Sequence, residues 1–374
     1  MIHKKRLLAL TQKLVQINSE NPPGNEAEIA AFVRGYLKSF GVSSKLYEFA
    51  QNRTNVVALI KAHASSAKTI LISPHLDTVP VGLGWKFPPF AGRIKNGKIY
   101  GRGVTDCKCN LAVAMEVLQS LSEEKALLNN TILFAATADE EAGSNLGLIP
   151  LLKKNIIRAD YALILDADEF DIVVVQKGLL HFKISVFGKK AHGAYPWRGI
   201  NAITIANDII QDLRKVTFRF TRHPLLHPPT LNIGTIHGGD KVNMVADWCD
   251  IEVDVRYLPG MSAQKLLAVF KKLIARRAKN FKLQIDGIQN PYEIDSQSPL
   301  VKALLKTWHT YKPRAALKGS EGATVITFFK EKNIPAVATG FGSYGCAHAN
   351  DEYARVDNLY LGAKALEEFL RKGL

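Results

Sequence analysis

The sequence predicts an α/β domain built on a parallel sheet, interrupted by a smaller α+β insertion. Two observations carry this. Strand-length apolar runs at 69–73, 131–136 and 160–165 alternate with amphipathic helical stretches, the pattern of a buried parallel sheet with helical crossovers. From Gly178 the apolar runs give way to period-two alternation, and the elements follow in the order β-α-β-β-α-β, a split-βαβ unit. The expected boundaries are residues 1–177 and 288–374 for the sheet domain and 178–287 for the insertion.

In order, Leu7, Leu10, Leu14 and Ile17 recur at helical spacing, and the Asn21-Pro22-Pro23-Gly24 turn stops that helix. Ile29, Val33, Tyr36, Leu37 and Phe40 mark a second helix, ended by Gly41. Strand patterns follow at 44–47, 55–60 and 69–73, the last running into Pro74-His75-Leu76-Asp77. Residues 82–103 read as a long loop and hairpin leading into Asp106, which precedes a helix over 111–121. The run 131–136 breaks into Asp139, Glu140 and Glu141, and the run 160–165 into Asp166, Asp168 and Glu169. In the insertion, strands are expected at 181–187, 230–236, 250–257 and 281–285, with helices over 201–213 and 262–277. Beyond Pro291, helices are expected at 299–311 and 323–329 and a strand at 334–339. A glycine-rich loop then carries His348, Asp351 and Glu352, and a final helix starts near Asp357.

The 374 residues, 47% hydrophobic and 22% charged, have the composition of a globular enzyme. No apolar stretch approaches transmembrane length, and Thr11, Gln12, Lys13 and Gln16 interrupt any signal-peptide core after the basic start. A reducing, cytoplasmic setting without a membrane partner is the expectation, and four scattered cysteines suggest no disulfide framework. The net charge of +15 raises nucleic acid as a partner. However, the densest basic cluster, Lys271 to Lys282, alternates with Leu273, Ile274 and Phe281 as the outer face of an amphipathic helix would. It lacks the interleaved aromatics that stack on bases, so no nucleic-acid partner is expected.

Three acids closing a buried strand repel one another unless something positive neutralises them. The strand ends deliver His75, Asp106, Glu140, Glu141 and Asp166, and the late loop adds His348. Ligands of parallel sheets gather at the carboxyl ends of the strands. Imidazoles with carboxylates suit zinc, cobalt or manganese. Five ligands exceed one tetrahedral zinc and fit two ions sharing a carboxylate, which together bind one hydroxide and polarise a carbonyl. Of Glu140 and Glu141, one would coordinate and the other serve as general base. Asp77, two residues from His75, is placed to fix the imidazole tautomer.

The segments Pro74-His-Leu-Asp-Thr-Val-Pro80, Gly101-Arg-Gly-Val-Thr-Asp106, Asp139-Glu-Glu141 and Ala347-His-Ala-Asn-Asp-Glu352 resemble the zinc-dependent acylase and exopeptidase superfamily. Its members include succinyl-diaminopimelate desuccinylase, acetylornithine deacetylase, aminoacylase and glutamate carboxypeptidase. The resemblance runs over essentially the whole chain. It implies a three-layer α/β/α metallopeptidase-like domain with an inserted lid and dimerisation domain. It also implies two zinc ions, with cobalt or manganese as alternatives. His75 and Asp166 would hold one ion, Glu141 and His348 the other, and Asp106 would bridge them. Glu140 becomes the base and Asp77 the group that orients His75. His192, in Gly188-Lys-Lys-Ala-His192, would reach across a homodimer to stabilise the oxyanion. Arg256 and Asn243 would grip the substrate's carboxylate and carbonyl.

The implied reaction removes an acetyl- or succinyl-type acyl group from an amino acid or related small amide. A dipeptidase or carboxypeptidase of the same superfamily is the alternative. A non-catalytic small-molecule or nucleic-acid-binding protein is the alternative of another class. There are departures from the family pattern. Asp106-Cys107-Lys108-Cys109 stands where the family usually has Asp-Met-Lys-Gly, so a positive φ at Cys109 would be costly. Asp166 stands where desuccinylases and deacetylases usually have glutamate, as in peptidase and aminoacylase members. The resemblance further implies a cis peptide after Asp106.

Overall fold

The computed structural model describes residues 1–64 and 66–374. The chain forms two compact units. The first comprises Met1–Val174, Ile294–Lys318 and Phe328–Leu374, and the second comprises Val175–Glu293 and Gly319–Thr327.

The first unit is organised by a mixed sheet. Across it the strands run in the order Ser44–Glu48, Thr54–Ile60, Thr131–Ala136, Thr69–Pro74, Tyr161–Leu165, Ala336–Thr339 and Ile172–Gln176. The middle four are mutually parallel, and the flanking pairings are antiparallel. Parallel strands buried on both faces need apolar residues at every position. Ile-Leu-Ile, Ile-Leu-Phe-Ala-Ala and Ala-Leu-Ile-Leu supply them and are buried. Because the four strands are parallel, their carboxyl ends open on one side. There the chain continues into His75, Asp139–Glu141, Asp166 and the Gly340 loop.

Helix Cys109–Glu123 lies against Thr69–Pro74 and packs on Lys4–Gln16 and Val356–Lys372. Twelve of its residues are buried, which is why its polar residues are few. A small antiparallel sheet, Arg93–Lys95, Lys98–Tyr100 and Tyr353–Arg355, ties the expected hairpin to the end of the late loop.

In the second unit, strands Gly178–Phe187, Thr230–Gly238, Trp248–Tyr257 and Phe281–Gln289 form an antiparallel sheet. Helices Ala202–Leu213 and Ala263–Arg277 pack on one face of it. Alternating burial along Gly178–Phe187 and Trp248–Tyr257 shows the one-sided core that period-two patterning implies. Asn201 and Ser262 cap the two helices through their side chains. Lys271, Lys272, Arg276, Arg277, Lys279 and Lys282 are exposed, as an outer helix face should be.

Four sequence expectations change. The helix expected over 323–329 shrinks to Thr327–Lys330, and Leu317–Ser320 is a strand. Residues Gly319–Thr327 cluster with the second unit, where Thr324 N donates to Gln176 Oε1 at 2.9 Å and Gln176 Nε2 donates to Thr324 O at 3.0 Å. The strand Ile172–Gln176 was not foreseen, although its Ile-Val-Val-Val core is β-branched and fully buried. Asp106 does not end a strand of the main sheet but sits in an irregular turn, Val104–Lys108.

Candidate metal centre

Each site residue is placed by a strand end or by a clamp on the backbone beside it. His75 follows Thr69–Pro74, and the pairing with the neighbouring strand continues past Pro74 through Leu76 N donating to Thr137 O at 2.7 Å. The buried imidazole faces Asp77 O with Nδ1 at 2.9 Å and Asp106 Oδ1 with Nε2 at 2.9 Å. A carbonyl oxygen only accepts, so Nδ1 carries the proton and the Nε2 lone pair is left for a cation.

Asp106 is held from behind. Glu352 accepts hydrogen bonds from Gly103 N at 2.9 Å, Thr105 N at 2.8 Å and Asp106 N at 3.1 Å, and pairs with Arg102 at 2.8 Å. Gly103 is required there, because at φ 73° a Cβ would meet Thr78 Cγ2 at 2.1 Å. The Asp106–Cys107 peptide is cis, matching the family pattern. Cys109 takes ordinary helical angles, φ −66° and ψ −39°, so its replacement of glycine introduces no backbone conflict.

Asp166 and the late loop are tied together by Asn110. Its Nδ2 donates to Asp166 O at 2.6 Å and its Oδ1 accepts from Phe341 N at 2.9 Å. Gly340 lets the strands approach, since a Cβ there would lie 1.8 Å from Asp166 O. The loop then brings His348 Nε2 to 3.2 Å from both Asp106 Oδ2 and Glu141 Oε1.

Two ligand groups result, His75–Asp106–Asp166 and Asp106–Glu141–His348, with the donor atoms of each within 4.8 Å of one another. Asp106 belongs to both, one oxygen toward each histidine. The five residues expected as ligands are therefore brought together, with Asp106 in the shared position.

The electrostatics tests whether cations fit. Burial pushes Glu140 well above the usual carboxylate range; the charge of His75 works against this, and those of Asp166, Glu141 and Asp106 add to it. Burial and then the charge of Asp106 raise Asp166 to about 7. Hydrogen bonds to Asp106 and Glu141 raise His348 to about 10. Burial works against ionised Asp106, yet hydrogen bonds from His348 and His75 keep it below its ordinary value. The cluster thus holds more buried negative charge than its histidines balance. Two divalent cations supply what this donor set lacks, so the residues fit the metals.

Asp77 meets His75 Nδ1 through its backbone carbonyl rather than its carboxylate. Its carboxylate, 0% exposed, accepts from Glu140 N at 3.0 Å, Glu141 N at 3.1 Å and Asn21 Nδ2 at 2.9 Å, while its Oδ1 lies 3.6 Å from His75 Nδ1. It therefore couples the imidazole to the backbone of both glutamates. Asp139 has a supporting role. Its φ is 64°, and its carboxylate is bound by Arg53 at 2.8 Å and by Leu146 N at 2.9 Å. Arg53 in turn pairs with the buried Glu26 through bonds of 2.7 and 2.8 Å.

Asn21, Glu26, Arg53 and Asn110 were not singled out in the sequence. They lie 56 to 113 residues from the acids they serve, and nothing in a helix-start glutamate or a loop arginine signals burial. Arg102 and Glu352 sat inside quoted motifs, so their proximity to the site was signalled but their pairing was not.

His192, Asn243 and Arg256 belong to the second unit. His192 and Asn243 lie on adjoining segments, with Gly193 N donating to Asn243 O at 2.8 Å, and both side chains are exposed. Arg256 is half-buried and paired with Asp254 on the same strand, Nε to Oδ1 at 2.9 Å.

A profile of the peptidase family M20/M25/M40 matches residues 71–372. An acetylornithine deacetylase of Edwardsiella ictaluri is 28% identical over 88% of this chain and 86% of that protein. A protein of Staphylococcus epidermidis described as a probable succinyl-diaminopimelate desuccinylase is 27% identical over 96% of this chain and 94% of its own. Among solved structures, a tripeptidase from Staphylococcus aureus superposes with a TM-score of 0.83 at 24% identity, covering 100% and 99% of the two chains. A Bacillus subtilis protein described as a dinuclear metal-binding peptidase gives 0.74 at 17% identity, covering 99% and 98%. With the profile spanning most of the chain, and a shared aspartate set between two histidine–carboxylate groups, this protein belongs to the M20/M25/M40 peptidase family of metal-dependent amide hydrolases.

Proposed function

We propose that the protein removes an N-acyl group, of acetyl or succinyl type, from an amino acid or related small amide, with two divalent ions at the centre. The observation that carries this reading is Asp106, shared between the two ligand groups, with the neighbouring Glu140 outside both. His75 and Asp166 would hold one ion, Glu141 and His348 the other, and Asp106 both. Bound divalent ions would polarise the scissile carbonyl and acidify the attacking water. Glu140 takes the proton from that water and delivers it to the departing amine, so amide and water become carboxylate and amine. Asp77 holds the Glu140 and Glu141 backbone during this transfer through its two accepted hydrogen bonds.

Zinc is the proposed ion, with cobalt or manganese as substitutes, and a homodimer in the cytoplasm the proposed form. His192 of a second copy would then stabilise the oxyanion, and Arg256 and Asn243 would bind the substrate's carboxylate and carbonyl. The curated relatives named as deacetylase and desuccinylase support the acyl-amino-acid reading. An exopeptidase acting on short peptides is the second reading, favoured by Asp166 standing where the peptidase members of the superfamily carry aspartate. Glu140→Gln tests the core of the proposal. Metal content should stay at the wild-type level while turnover falls by about 10³-fold or more, the upper part of the range for a lost general base. Activity near wild type would remove Glu140 from the role. Purified enzyme with N-acetyl and N-succinyl amino acids and with dipeptides separates the two readings.

A further inference from the structure

The strand that ends in His75 loses its neighbour one rung too early. Its parallel pairing with Tyr161–Leu165 ends with Pro74 opposite Leu165. Beyond that point Asp166 N donates to Thr339 O at 2.8 Å, toward the strand on the other side. The next donor, Ala167 N, is taken by Asp166's own carboxylate at 2.7 Å. On the opposite flank the pairing uses Pro74 O and Leu76 N, which bond to Thr137. The N–H and C=O of His75 itself therefore point to the side where the ladder has stopped. His75 is 3% exposed, so bulk solvent does not stand in for the missing strand.

Cys107 fills that position. His75 N donates to Cys107 Sγ at 3.1 Å, and Cys107 Sγ donates to His75 O at 3.4 Å. The thiol, 0% exposed, thus accepts and donates at once, as a strand residue would. Cys107 also directly follows Asp106, so one residue joins the backbone of the shared aspartate to the backbone of the histidine 2.9 Å from it. A thioether, the usual side chain at this position in the family pattern, accepts a hydrogen bond but has no proton to donate.

We infer that Cys107 is a positioning residue of the metal centre, its thiol standing in for the missing strand and locking the His75 backbone against the Asp106 turn. The inference rests on the proposed metal centre. Cys107 acts through His75 and Asp106 and is not itself a ligand, because its proton is committed to the His75 carbonyl.

The test measures zinc and cobalt affinity by competition with a chromogenic chelator, alongside metal content per chain, for the wild type and for Cys107→Ser, Cys107→Met and Cys107→Ala. Cys249→Ala is the control, a cysteine equally buried in the second unit. Removing an outer-shell support typically weakens metal binding 10- to 100-fold, so Cys107→Ala should lose about 10-fold or more. Cys107→Met, without a donor, should fall with alanine. Cys107→Ser, which keeps donor and acceptor, should stay within about threefold of wild type. The cobalt-loaded wild type should show no thiolate-to-cobalt charge-transfer band.

An alanine variant that folds and binds as tightly as wild type overturns the inference, as does a serine variant as weak as alanine. If alanine does not fold, the serine and methionine variants carry the comparison, and equal affinity in those two overturns it. A charge-transfer band that Cys107→Ser abolishes makes Cys107 a ligand and overturns the positioning role. A wild type that takes up no divalent ion overturns the metal-centre reading and this inference with it. Ion binding in the wild type with an indifferent alanine variant overturns the Cys107 role alone.

Discussion

Replacing Arg53 with methionine should destabilise the first unit far more than a surface arginine would. Arg53 is 8% exposed and bonds Glu26 twice, at 2.7 and 2.8 Å, and Asp139 once, at 2.8 Å. Methionine fills much of the volume but leaves both acids without their cation. Glu26 is 0% exposed and keeps the Asp139 N–H, at 3.2 Å, while Asp139 keeps Leu146 N at 2.9 Å and Asn21 Nδ2 at 3.4 Å. Breaking a buried pair by removing one partner costs about 3–5 kcal/mol. Asp139 retains donors, so the cost should fall within that single-pair range rather than double it. Against a typical stability of about 5–15 kcal/mol, such a loss shows clearly in guanidinium denaturation of the metal-free protein.

The triple variant Glu26→Gln, Arg53→Met, Asp139→Asn removes both charges as well and should recover most of the loss, because neutral amides are cheaper to bury. The pH dependence has a definite sign. Burial already raises Glu26 in the wild type, and removing its cation raises it further. A carboxyl whose folded pKa exceeds its unfolded value favours the folded state at low pH and loses that contribution as pH rises. The deficit of Arg53→Met should therefore be smaller near pH 5 than near pH 8. A loss below about 1 kcal/mol, or a triple variant no better than the single one, would refute the view that this buried network supports the acidic turn.

Metal loading at pH 7 should release about two protons per chain or more, since His348 is raised to about 10, His75 lies well above its usual value, and Asp166, raised to about 7, adds a fraction of a proton. Protons and cations compete for those nitrogens, so apparent affinity should rise with pH between 6 and 8; calorimetry in buffers of different ionisation enthalpy reads both, and pH-independent affinity would contradict the assignment. Asp77→Asn should lower turnover and metal affinity together by about 10- to 100-fold, because the amide carries one acceptor oxygen where the carboxylate serves Glu140 N, Glu141 N and Asn21. Unchanged affinity with reduced turnover would confine Asp77 to the glutamate backbone.

Period alone separated the two kinds of architecture. Ile70–Ile72, Ile132–Ala136 and Ala162–Leu165 read as parallel strands because no position in them tolerates water, and 181–187 read as a one-sided strand because every second position does. The metal ligands were legible for a related reason: a histidine or an acid directly after such a strand has few structural uses. Ile172–Gln176 was missed although its signal was equally apolar, because a strand near a domain boundary lacks the helix that usually frames it.

Chain order by itself determined which residues close the strands, and hence that two histidines and several carboxylates would share one end of a sheet. The tertiary structure decided what holds them there. Glu352 cradles the Asp106 turn from 246 residues away, Arg53 neutralises Asp139 from 86, and Asn110 clamps Asp166 to the late loop. Asp77 spends its oxygens on the Glu140 and Glu141 backbone as well as facing His75. Cys107, read from the sequence only as a departure from the family pattern, completes the hydrogen bonding of His75. Periodicity records which side chains avoid water. Partnership between buried polar groups depends on distances between segments far apart in the chain, and these exist only once the chain has folded.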